Sequence, residues 1–449
     1  MFDKKLFPQG AIYVLEVLQN SGHKAYLVGG CIRDLMLKGK PLEWDITTDA
    51  TPITVQKLFQ KVVPTGIDFG TVTVVLDDQS FEVTTFRSDE KYSDGRHPDK
   101  VTFTKSLEED LSRRDFTINA MAYDPFKKEL VDKFGGQKDL KAKTIRTVGD
   151  PLARFREDGL RPIRACRFAA KLNFEIEKST LDAIEKTLEK VMLVAPERVH
   201  DEFVKMLAAD KPSIGVEYLR KSGLLKLVMP ELEACYGVAQ PREFHKYDVY
   251  WHSLYTCDAL PKENYALRLA GLLHDIAKPD CRACRQAGKV EMTFYNHDQK
   301  GVEMAAAILK RLRFSNADID YVLNLIGNHM FHYTSEWTDA AVRRFMKRVG
   351  IEHLDDLFLV RVADLKAMDR EIVEKNLPEL KSRIAKVICE ENALDVTDLK
   401  VNGEDVMRVL SISPSKKVGE VLNGLLEKVL DDPSLNEREK LLKMVESFK

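Results

Sequence analysis

Glu43 and Asp45 stand one residue apart in the run LEWDITT, shortly after the glycine pair Gly29-Gly30. In an extended strand, side chains at i and i+2 point to one face, so the two carboxylates would be presented together. Like charges held close are unfavourable unless a cation lies between them. A hard divalent ion such as Mg²⁺ takes carboxylate oxygens along with substrate phosphates. The glycines follow the apolar run KAYLV and precede a helix-like segment. Bare backbone N–H groups at the start of a helix suit an anion such as a triphosphate. Together these residues suit phosphoryl chemistry in which one ion activates a hydroxyl and another neutralises the leaving pyrophosphate. The same residues also read as an acidic edge strand behind an ordinary glycine turn.

Two further stretches carry polar residues that could serve such a site. In RRDFTINAMAYDP, Arg113, Arg114 and Asp115 precede Asn119. Adjacent arginines suit phosphate or ribose, and Asn can hold a ribose hydroxyl. A helix start capped by Asp115 explains the same pattern. In GDPLARFREDGLRPIRACRF, Glu157, Asp158 and Arg161 are spaced within one helical turn, so a carboxylate and a guanidinium would share a face. Side by side they mimic a base-pairing edge, with donors for a ring acceptor and an acceptor for an exocyclic amine. A plain surface ion pair is the other reading.

These residues need elements to hold them. KAYLVGG, WDITT, GTVTVVLD and SFEVTTFR are β-branched or aromatic runs bounded by Gly, Asp or Pro, and read as strands. TPITVQKLFQKV reads as a helix with Thr51 as N-cap and Pro52 at its first position. By this strand pattern Glu82 faces the same sheet as the carboxylate pair. From about residue 151 the strand signals fade, and stretches such as STLDAIEKTLEKVMLV and ERVHDEFVKMLAAD place apolar residues at helical intervals.

Taken together, the stretches resemble the class II tRNA nucleotidyltransferases, the CCA-adding enzymes, of the polymerase-β-like superfamily. VGGCIRDLMLKG…EWDITT is similar to the family's metal motif, RRDFTINAMAYD to its ribose motif, and GDPLARFREDGLRPIRACRFAAKL to its hinge and base-template motif. PERVHDEFVKML resembles the neck helix, YSDGRHPDKVTFTKSLEEDL the flexible loop, and DLKVNGEDVMRVL…KKVGEVLNGLLEKVL the C-terminal helices. The resemblance implies an α+β chain: a nucleotidyltransferase head with a mixed sheet (1–148), an all-α neck (149–238), a helical body (239–370) and a helical tail (371–449). It implies that Glu43 and Asp45 bind Mg²⁺, and that Gly29, Gly30 and Arg33 meet the triphosphate with Asp34 bracing the turn. Arg114, Asp115 and Asn119 would contact ribose and phosphates. Asp158 and Arg161 would read the base, with Glu157 orienting them and Glu82 as a further acceptor. Asp94 and Arg96 in the loop, and Arg198 in the neck, would serve tRNA binding or switching. The family usually has Asp at the first carboxylate, where this chain has Glu43.

The implied reaction is template-independent addition of CCA to the tRNA 3′ end from CTP and ATP. Rivals are an A-adding-only member, a poly(A) polymerase, or a phosphohydrolase with an impaired head. The last follows from a second constellation: His252, His274-Asp275, His297, His329 and Asp364, with Lys278. Imidazoles and carboxylates on facing helices suit a divalent transition metal. The order resembles the HD phosphohydrolase superfamily, which implies a second metal on His252, His274, Asp275 and Asp364. A degenerate scaffold that only binds tRNA is the alternative.

Composition agrees with a globular chain. Of 449 residues, 69 are basic and 71 acidic, for a net charge of −2, so a polyanionic partner requires positive charge segregated onto one face. No apolar run approaches membrane-spanning length, and the N-terminus lacks a signal-peptide core. Seven scattered cysteines suit reduced thiols. Cys281 and Cys284 read as ordinary loop thiols, since a second CxxC pair is absent. A cytoplasmic enzyme is expected, with no membrane and no protein partner implied.

Overall fold

A computed structural model describes residues 2–90, 100–241, 246–286, 290–368, 376–390 and 393–448. The chain divides into two compact units. One is Met1–Glu233 with Arg311–Arg313; the other is Ala234–Lys310 with Phe314–Lys449.

The first unit begins with a mixed sheet. Its strands are β1 (Ala25–Val28), β2 (Asp45–Thr48), β3 (Val62–Gly66), β4 (Thr71–Leu76) and β5 (Gln79–Thr85), joined after the hairpin β6 (Arg87–Glu90)–β7 (Lys100–Phe103) by β8 (Ala122–Asp124) and β9 (Glu129–Val131). The sheet order is β3-β4-β5-β2-β1-β8-β9, and the β6–β7 hairpin stands apart. β1 is antiparallel to β2 with Val28 opposite Asp45, whereas β2 runs parallel to β5 with Ile46 opposite Val83 and Thr47 opposite Thr84. By alternation, Asp45 and Thr47 share a face with Glu82 and Thr84. All four strand expectations hold. So does the helix Pro52–Leu58, where the Thr51 side chain accepts from the Thr54 amide.

One expectation needs correction. β2 begins at Asp45, so Glu43 lies in the segment before the strand and is exposed. Trp44 is held by packing instead: its ring meets Phe7 edge-on at 5.9 Å, and Phe7 stacks on Tyr123 of β8 at 5.7 Å.

Behind the sheet come helices Pro151–Glu157, Arg161–Leu172 and Pro196–Leu207. Asp150 caps the first by accepting from the Ala153 amide at 3.0 Å, with Pro151 at the first turn. Asn173, in the left-handed region, ends the second.

The second unit is helical apart from a hairpin, Ala283–Gln286 with Val290–Thr293. Cys281 ends the helix Lys278–Cys281 and Cys284 sits on the hairpin, so neither lies in a loop. Helices Val249–Asp258, Tyr265–Leu273, Asn316–Asn328 and Leu354–Ala367 pack together. A separate apolar cluster, including Val406, Leu425, Leu426, Leu441 and Val445, forms the core of residues 393–448. No helix among the described residues is long and apolar enough to cross a membrane.

Candidate active site

Gly29 ends β1 and caps the helix Gly30–Met36 with φ +79°, a conformation that favours glycine. A side chain there would begin 3.0 Å from Arg114 Nη1 and 3.8 Å from Asp45 Oδ2. The glycine thus lets the chain pass against a carboxylate and a guanidinium. Its amide is not an open anion donor, because it is bonded to the Met121 carbonyl at 3.1 Å. Gly30 faces Arg33, whose Nη2 lies 3.5 Å from the position of an added Cβ.

Asp45 is held above the usual carboxylate range, first by burial and also by Glu43, against the lowering pull of Arg114 and Arg33. Glu82 is shifted the same way, by partial desolvation and then by Asp45 and Glu43. Three acids are therefore near neighbours, and Asp45 and Glu82 ionise less readily for it. That donor set fits a hard divalent cation. Thr47 Oγ1 donates to the buried Asp110 Oδ2 at 3.0 Å. Asp110 also takes Arg113 at 2.8 Å and Arg114 at 3.7 Å. Burial would raise its pKa, but the two arginines reverse this.

A chain of hydrogen bonds leads from the glycine turn into the neck helices. Arg33 Nη1 donates to Asn119 Oδ1 at 2.7 Å, and its Nε and Nη2 hold Asp34 at 2.8 and 2.7 Å. Asp34 thus pairs with Arg33 rather than bracing the turn directly. Asn119 Nδ2 donates to Asp115 Oδ1 at 3.1 Å. Asp115 caps no α-helix; its carboxylate accepts from the Phe116 amide at 2.8 Å and from Arg164 at 2.9 and 2.7 Å. Burial alone would raise the Asp115 pKa, yet the Arg164 guanidinium and the Asn119 amide hold it at about 2. A depressed carboxylate contributes stability above its unfolded pKa and loses it as pH falls through the folded value. Asp115 is therefore expected to contribute about 2 kcal/mol at neutral pH, lost between about pH 4 and pH 2. Urea unfolding across that range, compared with Asp115→Asn, checks it: the variant should show a shallower acid limb.

The base-reading set differs from the spacing argument. Pro151–Glu157 stops at Glu157, Asp158 is extended, and a new helix opens at Arg161. Asp158 and Arg161 therefore do not share a helical face. Gly159 lies in the break, where the Lys190 carbonyl leaves no room for a side chain. Arg161 Nη1 pairs with Glu157 Oε2 at 2.6 Å and reaches the Arg154 carbonyl at 3.1 Å, while Nη2 donates to the Arg113 carbonyl at 3.0 Å. Asp158 accepts from the Leu160 amide at 2.9 Å and from Arg198 Nη2 at 3.1 Å. Arg198 thus reaches the carboxylate expected to read the base. The sequence argument missed Arg164, Glu202, Asp110 and Thr47. The three-residue spacing of Arg161, Arg164 and Arg167 was the available signal for Arg164. Asp94 and Arg96 lie outside the described residues.

In the second unit the expected residues converge. His252 Nε2 lies 3.3 Å from His274 Nε2, 3.5 Å from Asp275 Oδ2 and 3.0 Å from Asp364 Oδ1. His274 Nε2 is 3.2 Å from Asp275 Oδ2, and His297 and His329 face Asp275 Oδ1 at 3.3 and 3.9 Å. Lys278 Nζ is 2.6 Å from Asp275 and donates to Gln240 at 2.7 Å. The Nδ1 atoms of His274, His297 and His329 sit 2.8, 2.7 and 2.7 Å from backbone carbonyls, so a proton on each Nδ1 bonds there and Nε2 is the ring nitrogen that faces inward. The buried Nε2 atoms of His297 and His329 find no donor among the described residues. His329 is pushed down to about 4, by burial first and then by His274, and is neutral at pH 7. Asp275 lies well below the carboxylate range despite its burial, through His274 and Lys278. Among the described residues, two groups of ligand atoms lie within 4.8 Å of one another: His252, His274, Asp275 and Asp275, His297, His329. Asp45 and its neighbouring acids are not drawn as close. A cavity of about 400 Å³ opens onto His274, Asp275, Lys278, His297, His329 and Asp364.

Comparison with known proteins identifies the family. The family described as "Poly A polymerase head domain" matches residues 25–146, and "Probable RNA and SrmB- binding site of polymerase A" matches residues 173–236. A family described as tRNA nucleotidyltransferase domain 2 matches residues 293–445. The CCA-adding enzyme of Ligilactobacillus salivarius is 32% identical over 439 residues, covering 96% of this chain and 94% of the relative. That of Enterococcus faecalis is 33% identical over 431 residues, covering 96% and 93%. Among solved structures, the Bacillus stearothermophilus CCA-adding enzyme in complex with CTP matches at a TM-score of 0.74 and 26% identity, over 99% of this chain and 98% of that one. The Thermotoga maritima CCA-adding enzyme complexed with tRNA shares the fold at a TM-score of 0.57 and 21% identity, over 100% and 97%. With a polymerase-type head, a glycine turn set against paired acids and relatives matched from end to end, the chain belongs to the CCA-adding enzyme family of tRNA nucleotidyltransferases.

Proposed function

We propose that this protein adds C, C and A to the 3′ end of tRNA from CTP and ATP, without a nucleic-acid template. The observation that carries the reading is the meeting of Asp45 and Arg114 at Gly29, backed by Arg33 and Asn119. The terminal 3′-hydroxyl attacks the α-phosphorus of the nucleotide. A new phosphodiester bond forms, the α–β bridge breaks and pyrophosphate leaves. Asp45 and Glu43 are the residues that would hold Mg²⁺, with Glu82 beside them. Bound there, Mg²⁺ would lower the pKa of the hydroxyl and neutralise phosphate charge. Arg33, Gly30 and Arg114 hold the triphosphate, and Asp115 and Asn119 fix the ribose side.

Base choice falls to Asp158 and Arg161. Glu157, the Arg154 carbonyl and the Arg113 carbonyl fix the Arg161 plane, and Arg198 fixes Asp158. Losing one hydrogen-bonding side chain leaves a base edge unpaired, at about 1–3 kcal/mol. Asp158→Ala or Arg161→Ala is therefore expected to lower discrimination against UTP and GTP about tenfold to a hundredfold. Incorporation of all four nucleotides by each variant tests this. Unchanged selectivity at a lower rate would reduce the pair to framework.

A second reading applies to the second unit. The Nε2 atoms of His252, His274, His297 and His329 and the carboxylates of Asp275 and Asp364 meet, with Lys278 and Arg361 as cations beside them. Such a donor set fits a divalent transition metal. His252, His274, Asp275 and Asp364 would hold one ion, and the group of Asp275, His297 and His329 offers ligands for another. A metal there would suit hydrolysis of a phosphoester at the cavity.

A further inference from the structure

The helix Arg161–Leu172 does more than begin with a base-reading arginine. Arg164, one turn further on, donates through Nε and Nη2 to the same Asp115 oxygen at 2.9 and 2.7 Å. Asp115 holds Asn119, and Asn119 holds Arg33, at 3.1 and 2.7 Å. Asn119 is 7% exposed and Arg33 4%, so water competes little for these bonds. Each member is bonded on two sides, and each therefore limits the rotamer of the next. The Phe168 ring adds a second tie, with the guanidinium carbons of Arg167, Arg33 and Arg164 at 4.0, 5.2 and 5.5 Å from its centroid. Glu202, on the helix Pro196–Leu207, anchors Arg167 and approaches Arg164 at 3.5 Å.

We infer that Arg164 is a positioning residue that sets the orientation of Arg33 through Asp115 and Asn119, so that one helix aligns base recognition with triphosphate recognition. The inference rests on the nucleotide site proposed above. Arg164 itself touches neither base nor phosphate in this role. Its loss loosens the grip on every nucleotide alike and leaves the choice among bases unchanged.

The test is steady-state kinetics on the full chain: CMP addition to a tRNA lacking CCA at varied CTP, and AMP addition to a tRNA ending in CC at varied ATP. For Arg164→Ala, the KM for CTP and ATP is expected to rise together by about tenfold, the scale of one lost charged hydrogen bond. The KM for tRNA and the selectivity among four nucleotides should hold. Arg164→Lys, which keeps the charge but not the two-pronged contact, should recover part of the loss. In an Arg33→Ala background, Arg164→Ala should add almost nothing, because both changes act on one chain. A full additional rise in that background would overturn the inference, since Arg164 would then bind the nucleotide independently. So would a change confined to the KM for tRNA. If Arg164→Ala does not fold, Arg164→Gln and Arg164→Lys carry the same comparison. A wild type that adds nothing to either tRNA would instead contradict the proposed activity. An active wild type with an unmoved KM in the Arg164 variants contradicts only this inference.

Discussion

Asp45→Ala is expected to abolish nucleotide addition, by about a thousandfold or more, while tRNA binding stays nearly intact. Asp45 opens β2 directly opposite Val28, the residue before the glycine turn, so the sheet fixes its place against that turn. Its carboxylate faces Arg114 and Arg33, the arginines proposed to meet the nucleotide's charge, and it lies beside Glu43 and Glu82. Removing a group that stabilises charge in the reacting state typically lowers kcat by about 10²–10³, and a metal ligand also carries the hydroxyl's activation. Glu43 stands before the strand, where the backbone can absorb one extra methylene. Glu43→Asp should therefore keep or raise the rate. Quench-flow CMP addition with both variants, alongside a tRNA binding assay, measures these effects. Normal addition by Asp45→Ala would remove Asp45 from the metal site.

The second large effect concerns the other unit. Asp275→Asn is expected to abolish metal uptake at the site proposed there while leaving CCA addition within about twofold of wild type. Asp275 is shared by both groups of candidate ligands, with one oxygen toward His252 and His274 and the other toward His297 and His329. Replacing it withdraws a ligand from every arrangement at once and leaves Lys278 without its buried counter-charge. Elemental analysis after loading with Mn²⁺, Ni²⁺ or Zn²⁺ should find metal on the wild type and none on the variant. Asp275→Glu keeps the charge and separates metal loss from misfolding. A wild type that takes up no metal would favour a scaffold role for this cluster.

The head was legible where chemistry and local geometry coincide. A glycine pair after an apolar strand, followed by two acids, limits what the backbone can do, and β1, β2 and the helix Gly30–Met36 lie where those residues imply. The histidine–aspartate cluster was legible for a similar reason, since charged residues that close an apolar helix must find partners inside. Legibility ended where partners come from distant segments. Periodicity carried the helix across Asp158, whereas the chain is extended there and passes Gly159 close against Lys190. The pairing of Arg161 with Glu157 rather than Asp158 follows from that break. Likewise, Arg33, Asn119, Asp115 and Arg164 come from three separate stretches, and no spacing in any one of them announces the chain they form.

The most direct test of the central claim is addition to three tRNAs that end at the discriminator base, at C and at CC, each with CTP alone, ATP alone and both. The reading expects CTP alone to add two residues to the first tRNA and one to the second, and then to stop. ATP alone should add one residue only to the tRNA ending in CC, and both nucleotides together should bring all three to CCA. Addition of A alone, with CTP inert on every substrate, would contradict full CCA synthesis and make the protein an A-adding member of the family. Long A tails on all three would make it a poly(A) polymerase.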